Sequence, residues 1–222
     1  MSRTGFLLSV LFLLASLAFA QDPAVVDSKH YSVVLENARV RILRFTLGPG
    51  EKTATHRHPD AVFVLLPDGA SREVGQAAWL PELTHEQENA NARPAHAIIV
   101  ELKGEPGAAG PSAEKALPAP PAAGAQPGES PFTGVSFDKI FENDRVTVSR
   151  ARMDVNAREG WHTHGADIVV VHLSGGEIED AAGGETKVNK WKRGDVEFEA
   201  KGSSHSARNL GGAIEVILVA LK

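Results

Sequence analysis

Trp161-His162-Thr163-His164-Gly165-Ala166-Asp167-Ile168-Val169-Val170-Val171-His172 is the stretch that decides how this chain reads. Residues two apart on a β-strand point to the same face, so His162 and His164 present two imidazoles together. If no bulge intervenes after Gly165, Ile168, Val170 and His172 share that face, and His172 points into the same interior. Asp167 points away unless the turn at Gly165 shifts the register, as bulges beside sites do. His205 follows later, just ahead of another β segment. If the strands close over one another, three nitrogens converge. Neutral imidazoles suit Zn, Fe, Ni or Cu, and a three-nitrogen site leaves positions open for water or substrate. His172 and Asp167 are the nearest candidates for proton transfer, which needs hydrogen-bond reach.

The same pattern occurs earlier in the chain. Glu36-Asn37-Ala38-Arg39-Val40 reads against Glu142-Asn143-Asp144-Arg145-Val146 at an offset of 106, which also pairs His56 with His162 and His58 with His164. His85-x3-Asn89 matches His205-x3-Asn209 at an offset of 120, and a longer hairpin around Gly175 to Gly194 accounts for the change. Each half closes on a similar apolar segment, Ala97–Lys103 and Val216–Lys222. Repetition across separated blocks predicts two copies of one unit. Each copy offers three histidines: His56, His58 and His85, then His162, His164 and His205.

Short strands dominate both halves, at Val40–Phe45, Val62–Leu66, Val146–Met153, Ile168–Leu173, Val196–Phe198 and Ile214–Leu221, with Gly and Pro clusters as turns. Only Glu82–Ala92 has a weak helical period. The expected class is all-β, a sandwich or barrel. Trp79, Trp161 and Trp191 read as packing residues, and Asn89 and Asn209 as turn-fixing side chains. Residues 104–131 are rich in Pro, Ala and Gly and read as a linker between domains at 31–103 and 132–222. Residues 1–20 read as a signal peptide: Arg3, then an apolar run too short to span a bilayer, then Ala18-Phe19-Ala20 as the cleavage pattern. The chain is thus expected to be exported, periplasmic or extracellular, with no membrane association after cleavage.

The 222 residues hold 23 Lys+Arg against 28 Asp+Glu, a net charge of -5. That balance lacks the clustered positive charge of a nucleic-acid binder. The absence of cysteine excludes disulfides, thiolate metal sites and a thiol nucleophile. No nucleophile elbow or Ser-His-Asp order stands out.

Both halves resemble the cupin superfamily, specifically the small conserved-barrel cupins. The first motif of that family is matched by Gly50, His56, His58 and Gly69, and by His162, His164 and Gly175 or Gly176, with Asn156 where the leading glycine stands. The second motif is matched by Gly194, Gly202, His205 and Asn209, with Ala200 in place of the proline, and more loosely by Gly75, Pro81, His85 and Asn89. The family's glutamate falls at Val62 or Phe63 and at Ile168 or Val169, so neither half keeps it. The resemblance implies two tandem cupin barrels (double-stranded β-helix, or jelly-roll), a bicupin. It implies a divalent transition metal (Fe, Mn, Zn, Ni or Cu) on His162, His164 and His205, with Asp167 or His172 as a fourth ligand, and a second metal on His56, His58 and His85. Two functions follow as expectations. One is a metal-dependent enzyme, dioxygenase or isomerase-like, on a small organic substrate. The other is a non-catalytic bicupin that holds a small ligand or a metal, or is structural. Exposed barrel sheets are also compatible with a homo-oligomer.

Overall fold

The computed structural model describes residues 21–67, 76–104 and 132–222. The signal peptide at 1–20, the linker beyond Gly104 and the turn glycines Gly69 and Gly75 lie outside the described residues. The rest is almost entirely β-strand. One helical turn, α1 (Pro23–Val26), is capped by Asp22, whose side chain accepts the Ala24 N–H at 2.9 Å. Glu82–Ala92, the one segment with a helical period, instead forms a short strand followed by loop. Among the described residues no helix is long and apolar enough to cross a membrane.

The first half contributes β1 (Tyr31–Glu36), β2 (Val40–Leu47), β3 (His56–His58), β4 (Ala61–Leu65), β5 (Ala77–Leu80), β6 (Leu83–His85) and β7 (Ala95–Leu102). Five of them form a sheet in the order β1-β2-β7-β4-β5, while β3 and β6 pair separately. Strands β2 and β7 bury consecutive residues along their middle, so both faces of the sheet are covered there. Ile42 opposes Val100 and Leu43 opposes Ile99, all of them buried.

The second half contributes β8 (Phe132–Glu142), β9 (Val146–Thr163), β10 (Ile168–His172), β11 (Gly176–Ala182), β12 (Glu185–Trp191), β13 (Val196–Glu199), β14 (Ser204–Asn209) and β15 (Ile214–Leu221). They form one sheet in the order β12-β11-β14-β9-β15-β10-β13, with β8 also on β9. This sheet curls into a half-barrel of the jelly-roll kind. The curl runs through β9, whose first part pairs with β15 (Val146 opposite Leu221) and whose last part pairs with β14 (His162 opposite His205). Between the two parts Asn156 takes φ 64, a left-handed backbone that asparagine tolerates better than most residues. Two tandem barrels were expected; the second half supplies the one clear barrel.

The hairpin that lengthens the second half is β11–β12, turned by Gly183 and Gly184 at φ 59 and 84. Positive φ at both central residues belongs to the tight hairpin turn whose twist matches the strands. The two halves share their corner chemistry. The Asn37 side chain accepts the Arg39 and Val40 N–H groups, and Asn143 does the same for Arg145 and Val146. Buried Asn89 donates to the Leu47 and Arg93 carbonyls, and buried Asn209 to those of Asp154 and Gly212.

The described residues fall into two compact units, one of residues 21–63 and 79–103, the other of residues 64–67, 76–78, 104 and 132–222.

Candidate metal centres

In the first half His56 and His58 alternate along β3, and His85 lies directly opposite His56 on β6. Their ligand atoms lie within 4.8 Å of one another. His56 is 0% and His58 1% exposed. The His56 Nδ1–H donates to the Ala54 carbonyl at 2.7 Å, and the His58 Nδ1–H to Glu101 at 2.8 Å. Each bond fixes a tautomer and makes Nε2 the nitrogen that carries the lone pair. The two Nε2 atoms stand 3.1 Å apart. The loop behind them is held by a relay: Asp27 accepts the His30 Nδ1–H at 2.8 Å and the Ala54 N–H at 2.9 Å. Tyr31 lies over the cluster, its hydroxyl 3.0 Å from His56 Nε2 and 3.1 Å from the Gln87 amide that donates to it. Burial pushes the Tyr31 phenol up. Burial, then the charges of His56 and His58, pushes His85 down to about 4, and burial also lowers His56.

The second half repeats the constellation. His162 and His164 come from β9 and the turn after it, and His205 from β14, again with all ligand atoms within 4.8 Å. His162 Nδ1 donates to the Gly160 carbonyl at 2.9 Å and His205 Nδ1 to Asp180 at 3.0 Å. Burial, then the two neighbouring histidines, pushes His164 down to about 4. Burial works against the His205 charge, but the Asp180 hydrogen bond together with the charges of Glu199, Asp180 and Glu159 outweighs it and the pKa is raised.

The donor set passes a physical test for a metal. His85 Nε2, His164 Nε2 and His205 Nε2 are buried with no hydrogen-bond partner. An unpartnered buried nitrogen is costly, and an ion accepting its lone pair removes the cost. Both clusters therefore fit a divalent transition metal of unspecified identity.

A cavity of about 260 Å³ opens beside the second cluster. Ile168, Val170 and His172, the alternate residues of β10, line it together with the three histidines. His172 is buried at 1% exposure, stacked on Trp191 with ring centroids 4.5 Å apart, its Nε2 3.2 Å from Glu197. Trp191 thus serves as a cavity wall, beyond the packing role its sequence suggested. Asp167, proposed from sequence for proton transfer or ligation, is not among the lining residues. Its carboxylate accepts the Lys201 N–H at 2.8 Å, so the turn after Gly165 uses it for backbone.

Carboxylates that the sequence did not flag do reach the centres. Glu199 lies 3.5 Å from His164 Nε2 and 3.9 Å from His205 Nε2, restoring a carboxylate to a three-histidine set from a different strand. Burial, compounded by Glu197, Glu159 and Asp180, pushes it up to about 7 despite the opposing pull of His205. Burial likewise raises Glu159.

Comparison with known proteins supports the fold. No family model matches the sequence, and no curated protein matches it. Salicylate 1,2-dioxygenase from Pseudaminobacter salicylatoxidans aligns over 96% of this chain and 82% of its own, with a TM-score of 0.56 and 12% identity. AerE from Microcystis aeruginosa aligns over 87% of this chain and 97% of its own, with a TM-score of 0.53 and 11% identity. These likenesses show a fold shared with both proteins.

Proposed function

We propose that this chain is an exported bicupin that binds a divalent transition metal in each half and acts as a metal-dependent enzyme on a small organic molecule in the second. The carrying observation is the convergence of His162, His164 and His205 beside a cavity, with two buried Nε2 atoms lacking a hydrogen-bond partner. Domains at 31–103 and 132–222, a linker at 104–131 and a signal peptide at 1–20 complete the proposal, supported by the internal repeat and the composition. The metal would supply Lewis acidity, or with iron the activation of dioxygen. The chain's own residues would then orient the substrate: His172, held by Glu197 and Trp191, stands ready to exchange a proton inside the cavity. Dioxygenation is the first chemistry to test, because the long-range structural likeness includes a dioxygenase.

The first half favours the non-catalytic reading. Its His56 and His58 are buried beneath Tyr31, which is 2% exposed, with His85 half-buried beside them, and a largely closed site of this kind suits a structural metal. Metal analysis of the natively purified protein tests both assignments. One transition metal per cluster is expected, with selective loss when His162, His164 and His205 are replaced. No metal in the wild type, or unchanged occupancy in that variant, would sink the second-half assignment. Oxygen consumption by the metal-loaded protein with small aromatic substrates then separates turnover from binding.

A further inference from the structure

The lining of the second-half cavity carries more acidic groups than the metal site accounts for. Glu159, Asp180, Glu197 and Glu199 all line it, and no lysine or arginine does. Three of the four are occupied with histidines. Asp180 accepts from His205 Nδ1, Glu197 stands 3.2 Å from His172 Nε2, and Glu199 faces the Nε2 atoms of His164 and His205. Glu159 accepts a hydrogen bond from none of these histidines. His172, 1% exposed in the cavity wall, has a buried Nδ1 with no partner, a second polar group waiting for a ligand. Even against the two charges of a divalent ion, four carboxyl groups with no cationic side chain among them leave the lining acidic. A negative, partly desolvated cavity attracts cations and repels anions more strongly than the same charges would in water. The rest of the wall is apolar, with Phe132, Phe137, Met153, Ile178 and Ile214.

We infer that this cavity takes a small organic cation, an amine bearing an aromatic or alkyl group, with its ammonium on Glu159 and its hydrocarbon against the phenylalanines. The inference rests on the second half being the ligand-binding half and names the class of its substrate. Ammonium N–H groups satisfy a carboxylate directly, and aromatic faces favour a neighbouring cation. A carboxylic acid of the same shape would add a negative charge to an already acidic lining, the repulsive element from which discrimination arises.

Isothermal titration of the metal-loaded full chain with benzylamine, benzyl alcohol and benzoate near neutral pH tests this. Benzylamine should bind at least about tenfold more tightly than either of the others. Glu159→Gln should weaken benzylamine about tenfold and leave benzyl alcohol unchanged. Benzoate binding as tightly as benzylamine overturns the inference, and so does a Glu159→Gln variant that keeps full benzylamine affinity. Metal content measured on the same samples separates the two layers. Bound metal without a preference for the amine sinks only this inference. A preference for the amine in metal-free protein sinks only the metal assignment.

Discussion

His162 lies directly opposite His205 across the antiparallel pair β9–β14, their ring centroids 4.6 Å apart at 57°. His56 and His85 stand in the same relation across β3–β6, at 4.6 Å and 58°. An antiparallel register brings opposed side chains together on one face, and the His-x-His alternation adds a third imidazole to that face. Strand pairing thus sets the opposed pair in each cluster, and in the second half the turn after β9 supplies His164.

Pairing places the rings, but hydrogen bonds to Nδ1 aim them. Asp180 holds His205 and Glu101 holds His58. Carboxylates behind metal-bound histidines typically account for 10–100-fold in affinity. Asp180→Asn should therefore weaken metal binding at the second cluster by about that factor while sparing the first. Glu101→Gln should do the reverse. Chelator competition on the two variants reads each site, and an effect that is absent or crosses over contradicts the assignment.

The first cluster also predicts a pH dependence. His85 is pushed down to about 4 and His56 is lowered, against about 6.5 for an unfolded histidine. The unfolded chain therefore takes up these protons first as the pH falls. The stabilisation from keeping them neutral is complete above about 6.5 and is lost progressively toward about 4. Metal-free protein should show a falling Tm across that window. His85→Asn should flatten the fall, and an equal slope in variant and wild type would remove the first cluster as its source.

The repeat made the histidines and the corner asparagines legible, because each recurs at a fixed offset. The carboxylates do not recur. Glu101 falls against Leu221 at the offset of 120, and Glu199 against Trp79, so repetition could not mark them. Alternation does not mark them either: Val196-Glu197-Phe198-Glu199 alternates without saying which face looks inward. Its register sets Glu197 opposite Val170 and Glu199 opposite Ile168, on the cavity side. Asp180 comes from the β11–β12 hairpin, a loop-length difference in the sequence and a cavity wall in the structure. Only the three-dimensional pairing shows which face of a half-buried strand looks inward.

One departure from the repeat carries its own prediction. Gly50 has φ 70, and Asn156, its counterpart at the offset of 106, has φ 64. A side chain at Gly50 would meet nothing within 4 Å, and Asn156 is exposed, so backbone conformation alone selects these residues. Asn156→Gly should leave stability within a few tenths of a kcal/mol, since glycine accepts this backbone freely. Asn156→Val forces a β-branched residue into the left-handed region and should cost about 1–2 kcal/mol. The strain sits between the part of β9 that pairs with β15 and the part that carries His162. Second-cluster metal affinity should therefore drop in Asn156→Val and not in Asn156→Gly. Denaturant midpoints and chelator competition on the two variants check both statements, and a valine variant as stable as the glycine one would show that β9 does not depend on this turn.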